Sequence, residues 1–235
     1  MCEITILMPV RNTPVKWFKK AIESIANQSL QNFELLVLDD NSDLKLRNQY
    51  QDICQKNIHR FIFNSFLEHN SLACALNRGL KFVKTKYVAR FDSDDIAKKD
   101  WLKSQLDIIK MSHAKIVGCQ MAIWDENFEK KLKTTNHPEI VDSKTAKTIN
   151  SFWFVNHPGM MYETNYVKML GGYPEVPNGL AEDYPLWISA LRNGEVIVNN
   201  PKSLICYRSY TGSHSNKNAQ KEVNLKWMQK HKDLL

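Results

Sequence analysis

Apolar and polar positions along this chain switch repeatedly between two rhythms. Glu3–Val10 is an almost unbroken apolar run and reads as a buried strand ending at Pro9, whereas in Pro14–Gln28 the residues Val15, Phe18, Ile22 and Ile25 recur at helical spacing. The alternation then repeats. Phe33–Leu38 reads as a strand, Leu44–Gln55 as a helix and Ile58–Phe63 as a strand. Ser71–Val83 is a helix with Leu72, Ala75, Leu76 and Leu80 on one face, and Tyr87–Phe91 is a fourth strand. Four strand–helix units of this kind predict an α/β fold, a Rossmann-like and mostly parallel central sheet with helices on both faces and right-handed crossovers.

Beyond Ile109 the rhythm loosens. Ala114–Trp124 reads as a strand with Phe128–Thr134 as its hairpin partner, Asp142–Asn150 as a helix and Pro158–Tyr162 as a short strand. A glycine- and proline-rich loop over Gly171–Gly179 precedes a helix ending at Arg192, strands near Glu195–Val198 and Ser203–Tyr207, and a helical tail over Asn218–Leu235. No repeat, low-complexity segment or linker divides the chain, which predicts one domain over 1–235 with parts 1–112, 113–216 and 217–235.

The chain of 235 residues is 43% hydrophobic, enough for one sizeable core. Five scattered cysteines without a CxxC pair fit reduced thiols and argue against a disulfide frame or a zinc site. Met1-Cys2-Glu3 lacks a basic leader and Ile4–Met8 is too short to span a bilayer, so the expected location is cytoplasmic. The net charge of +7 is uneven. From Lys202 onward seven cations face only Glu222 and Asp233. Val223, Trp227 and Leu234 are interleaved with Lys221, Lys226, Lys230 and Lys232, so this tail fits two roles: an amphipathic helix lying on an anionic membrane surface, or one packed on its own domain.

Candidate chemistry concentrates in acidic clusters at turns. Asp92-Ser93-Asp94-Asp95 places three carboxylates in four residues directly after the fourth strand. Such a cluster needs positive charge, which a hard divalent cation such as Mg²⁺ or Mn²⁺ supplies; the plainer reading is a cap for a helix starting near Lys98. Asp39-Asp40 follows the second strand and Glu182-Asp183 opens a helix, where turn-making and capping are again the plain alternatives. Neither GxGxxG nor a P-loop occurs, so a nucleotide bound after the first strand would be held by side chains and by the proline-shaped turn Pro9-Val10-Arg11-Asn12.

The ordered set Ile6–Asn12, Leu38–Ser42, Ala75–Leu80, Ala89–Ile96 and Ala181–Trp187 resembles a GT-A-fold, family 2 inverting glycosyltransferase, over residues 4 to about 210. It is most similar to bacterial galactosyl- or glucosyltransferases of O-antigen, capsule and exopolysaccharide assembly. The resemblance implies a nucleotide-sugar half over 1–112 and an acceptor-side half over 113–216. It implies that Pro9, Arg11 and Asn12 line the nucleotide turn and that Asp39 contacts uracil. Asn77 and Arg78 would lie beside the nucleotide or its phosphates, with Asp92 and Ser93 at the ribose. Asp94 would hold Mn²⁺ or Mg²⁺ against the diphosphate of a UDP-sugar, and Asp183 would be the base with Glu182 supporting it. His214 is placed for a third metal ligand, while His157 and Trp187 would face the saccharide or lipid-linked acceptor; the alternative for each histidine is a structural role, and for Trp187 a place in the core. The sequence departs from the family pattern where Arg11 replaces an aromatic residue and where Asn70-Ser71-Leu72 lacks a glycine. A metal-dependent nucleotidyl- or phosphotransferase and a basic nucleic-acid-binding domain are the rival functions, although no nucleic-acid partner is expected.

Overall fold

Seven consecutive buried residues form β1 (Ile4–Val10), an interior strand of the sheet. Its side chains alternate between two cores: Ile4, Ile6, Met8 and Val10 face one layer, and Leu7 faces the other. A strand buried on both faces has no solvent side, which is why its sequence is apolar but for Thr5, whose hydroxyl meets Thr85 Oγ1 at 2.8 Å. The computed structural model describes residues 2–68, 71–149, 151–176, 180–211 and 218–235.

From β1 the chain runs through α1 (Val15–Ala26), β2 (Phe33–Asp39), α2 (Leu44–Asn57), β3 (Phe61–Ser65), α3 (Leu72–Phe82) and β4 (Tyr87–Arg90). There follow β5 (Ile96–Ala97), α4 (Trp101–Ser112), β6 (Ile116–Trp124), β7 (Lys131–Thr134), β8 (Ile140–Val141), α5 (Ser143–Thr148), β9 (Met161–Glu163) and α6 (Thr164–Met169). The chain ends with α7 (Tyr184–Arg192), β10 (Ile197–Arg208) and α8 (Asn218–Lys232). The sheet order is β3-β2-β1-β4-β9-β6-β10-β5, with β7 on β6 and β8 on β10. β1 to β4 pair in parallel, as do β6 and β10, and β9 is the antiparallel strand that joins the two groups. Phe18, Tyr50 and Trp101 of α1, α2 and α4 fill one face; Leu76, Val167 and Leu186 of α3, α6 and α7 fill the other.

Several elements differ from the sequence reading. β5 and β8 are two-residue strands made by pairing with β10, too short to leave a periodic signal. The two strands expected at Glu195–Val198 and Ser203–Tyr207 are one, β10, whose register against β6 shifts between Asn200 and Ser203. Pro201, which lacks an N–H, sits within that irregularity, where a missing donor is tolerated. α8 turns Met228 and part of Trp227 into the domain beside α7 and leaves Val223 and Lys226 in solvent, so the packing alternative for the tail is the one realised.

Gly159 ties the two halves of the sheet. Its N–H donates to the Arg90 carbonyl of β4 (2.9 Å), and its own carbonyl accepts from Trp101 Nε1 (2.7 Å) and Gln105 Nε2 (2.9 Å) of α4. Its φ of +84° is left-handed, and an added Cβ would run into the Ile205 side chain of β10. Gly159→Ala is therefore expected to lower stability by roughly 2–4 kcal/mol, backbone strain and overpacking acting together. Urea denaturation checks this; an unchanged midpoint would refute it.

Candidate active site

β2 and β3 lie to one side of β1 and β4 to the other, so the chain changes direction at the β1–β4 junction, where open α/β sheets form their crevice. Pro9 contributes to that opening. The Leu7 carbonyl accepts from Phe91 N (3.1 Å), and Pro9, facing the same neighbour two residues on, has no N–H to extend the ladder, which stops at Leu7–Arg90.

The loops at this end brace one another. Asn12, in the left-handed region at φ +48°, donates its N–H to Ser42 Oγ (3.0 Å), and its side-chain oxygen accepts from Asp43 N (2.9 Å). Asp39 is fully buried; its carboxylate accepts from Ser42 N (3.2 Å) and from Arg47 Nε (2.7 Å). Ser93 Oγ meets Thr13 Oγ1 at 2.8 Å, joining the acidic run to the first turn. Arg11 is exposed at the rim, and the Arg78 guanidinium lies over the Phe66 ring at 4.9 Å.

Asp92, Asp94 and Asp95 bring carboxylate oxygens within 4.8 Å of one another. Asp95 is not a helix cap: α4 begins at Trp101, and the fully buried Asp95 accepts the backbone N–H of Arg208 (2.8 Å) at the end of β10. Its second oxygen is buried without a partner among the described residues. Burial and then Asp92 push the Asp94 carboxyl up to about 6, and burial, with the neighbouring carboxylates, pushes Asp95 well above the usual range. A cluster of hard oxygen donors with an orphaned buried oxygen is chemically suited to a divalent cation of the Mg²⁺ or Mn²⁺ type.

A second group, His157, Glu182 and Asp183, also lies within 4.8 Å, but inside the domain. Here Glu182 Oε1 stands 3.1 Å from His157 Nδ1, and Asp183 Oδ2 accepts from Trp187 Nε1 (3.1 Å). Asp183 occupies the N-cap position of α7 but makes no side-chain capping bond, so its carboxylate is not used for helix initiation. The neighbours diverge. Burial drives both carboxyls upward, but the hydrogen bond from His157 overrides it at Glu182, which lies below the ordinary value, while Asp183 stays above it. Two carboxyls adjacent in sequence are thus pushed in opposite directions by what each one touches.

Arg90 faces both groups. Only 2% exposed, it places Nη1 2.5 Å from Asp92 Oδ2, and its charge also acts on Asp94, Asp95, Glu182 and Asp183. Burial opposes that charge, yet Asp92 and Glu182 hold the guanidinium pKa above its ordinary value. The sequence reading missed Arg90, although an arginine inside an apolar strand next to three aspartates was a visible signal. It also missed Arg208, buried between the Trp17 and Phe128 rings at 4.5 and 4.2 Å, with Nε donating to the Asp94 carbonyl (2.8 Å). No local pattern marks that residue, because its partners lie on three distant segments.

Several expected positions are engaged within the protein. Trp187 is 1% exposed and serves Asp183, so it offers no face to an acceptor. The Asn77 amide is engaged with the backbone of Tyr173, donating to its carbonyl (2.7 Å) and accepting from its N–H (2.8 Å), where a nucleotide contact was expected. His157 is 8% exposed and engaged with Glu182, and His214 lies outside the described residues.

With this geometry in place, comparison with known proteins is decisive. The model of the family described as "Glycosyl transferase family 2" matches residues 5–167. The chain belongs to that family. Among curated relatives, this family 2 glycosyltransferase is 29% identical over 225 residues to the O-antigen biosynthesis glycosyltransferase WbnJ of Escherichia coli, covering 94% of this chain and 83% of that one. It is 28% identical to the putative glycosyltransferase EpsE of Bacillus subtilis, covering 82% and 68%. Among solved structures it resembles S. aureus TarS 1–349 in complex with UDP-GlcNAc, with a TM-score of 0.74 and 20% identity, and spans 97% of this chain but 66% of that one. The architecture is the GT-A fold, as the motifs implied.

The raised Asp94 value has a consequence for stability. The folded protein binds this proton more tightly than the unfolded chain, so stability falls as pH rises from about 4, the ordinary value, to about 6. Asp94→Asn removes that penalty. Its melting temperature is expected to exceed that of the wild type by about 2–4 °C at pH 7.5, with the gain vanishing toward pH 4; calorimetry at several pH values without divalent cations tests this.

Proposed function

We propose that this glycosyltransferase is an inverting enzyme that transfers a hexose from a UDP-sugar, UDP-galactose or UDP-glucose first, to a saccharide or lipid-linked saccharide in cell-surface polysaccharide synthesis. The observation that carries this reading is the division of labour among carboxylates at one end of the sheet: a half-buried cluster at Asp92–Asp95 and a buried, proton-accepting Asp183 beside a Glu182 that is already paired. The UDP-GlcNAc and UDP complexes of TarS support a uridine diphosphate donor, and the name of WbnJ supports an O-antigen-like setting.

In this reading the loops carrying Asn12 and Asp39 receive the uridine, Arg11 stands at the rim as a cation for the phosphates, and Asp92 and Ser93 lie at the ribose. Asp94, with Asp92 and Asp95 beside it, would hold Mn²⁺ or Mg²⁺, which supplies Lewis-acid neutralisation of the diphosphate leaving group. Asp183 takes the proton of the attacking acceptor hydroxyl. One base and one metal correspond to a single displacement, hence inversion. No helix among the described residues is long and apolar enough to cross a membrane. α8 packs on the domain through Met228 and leaves Val223 in solvent beside the Glu222–Lys226 pair. The reading includes a peripheral approach of that exposed face to the inner surface of a cell membrane from the cytoplasm.

The test is a screen of UDP-sugars with Mn²⁺ that follows UDP release with and without saccharide acceptors. On the best pair, Asp183→Asn is expected to lower kcat by about 10²–10⁴-fold while UDP affinity is retained. Equal turnover by wild type and variant would remove Asp183 as the base, and pyrophosphate release from a nucleoside triphosphate would instead indicate a nucleotidyltransferase.

A further inference from the structure

The loop between α6 and α7 contains two successive glycines in the left-handed region, Gly171 at φ +91° and Gly172 at φ +78°. A side chain at Gly172 would collide with the Asn77 side-chain oxygen. This close approach lets the Asn77 amide of α3 clamp both backbone groups of Tyr173, N–H and carbonyl, in a two-point bond. Tyr173 then runs inward at 1% exposure, and its hydroxyl reaches His157 Nε2 (3.1 Å) and donates to Tyr162 OH (3.3 Å). The other nitrogen of the same imidazole faces Glu182 (3.1 Å). A carboxylate can only accept, so Nδ1 carries the proton in that pair. Tyr173, His157 and Trp187 pack on one another with ring centroids 5.3, 6.0 and 6.4 Å apart, and Trp187 holds Asp183.

We propose that Asn77, Tyr173 and His157 are positioning residues, forming a chain of hydrogen bonds that runs from the nucleotide-side helix α3 to Glu182 and sets the orientation of Asp183. The inference rests on the reading of Asp183 as the base. The chain does two things. It crosses from α3 to the start of α7. It also keeps Glu182 engaged, so that of two adjacent carboxylates only Asp183 is available to an acceptor hydroxyl. Neither Asn77 nor His157 then needs to touch donor or acceptor; both act through the base. The physical basis is rigidity: a carboxylate buried beside three interlocked rings has few orientations, and each bond in the chain removes another.

Two readouts test this. With Mn²⁺ and the best UDP-sugar and acceptor, Asn77→Ala, Tyr173→Phe and His157→Leu are expected to lower kcat by about 10–100-fold while the donor KM and UDP affinity stay within about twofold. His157→Gln, which keeps a donor for Glu182, is expected to recover much of the loss. A donor KM raised with kcat unchanged in Asn77→Ala would make it a nucleotide contact and overturn the proposal. The second readout needs no turnover. In a ¹⁵N–¹H spectrum of the six tryptophan indoles, with the Trp187 peak assigned by Trp187→Phe, that peak is expected to shift in Asn77→Ala and in Tyr173→Phe while Trp17, on α1, stays in place. A stationary Trp187 peak, or an equal shift of Trp17, overturns the chain. If the wild type turns over no UDP-sugar, the functional reading fails, and the indole spectrum alone decides the positioning chain.

Discussion

One buried guanidinium allows this site to exist. Arg90 is the last residue of β4, and its charge is felt by Asp92, Asp94, Asp95, Glu182 and Asp183. Five carboxylates around one sheet end would repel strongly in a low-dielectric interior, and only a cation fixed by the backbone lowers that cost without entering the crevice from solvent. The compensation is incomplete. Asp94, Asp95 and Asp183 all remain above their ordinary values, because burial outweighs the single cation.

The topology explains why these groups converge. β4 lies at the point where strand order reverses, so the segment following it enters the crevice directly. β9, inserted antiparallel beside β4, begins just after His157-Pro158-Gly159 and thereby brings His157 to the same end. Gly159 bonds to Arg90 and to α4, so the strand that delivers the acidic run and the strand that follows His157 are fastened by one residue whose φ only glycine adopts without strain. Arg208, arriving at the end of β10, closes the arrangement by gripping the backbone of Asp94 and the side chain of Asp95.

Local and tertiary information divide cleanly here. The first half of the fold was legible residue by residue, because each parallel strand is apolar on both faces and each helix presents a stripe to one of two cores: β1, β2 and β4, with α1 and α3, lie within a few residues of where periodicity put them. The rest was less legible, since β5, β8 and α6 exist through pairing and packing, not through any period of their own.

The sequence by itself determined the α/β class, the family through its ordered motifs, and the acidic clusters at the strand ends, because turns and clustered acids are local features. Which carboxylate is paired and which is available was decided only by the tertiary structure. Glu182 and Asp183 are neighbours in sequence and chemically near-equivalent; His157, 25 positions away, and Trp187, one helical turn on, distinguish them. The bonds of Asn77 to Tyr173 and of Trp187 to Asp183 were likewise invisible in the sequence, since they depend on what the fold places within hydrogen-bonding distance.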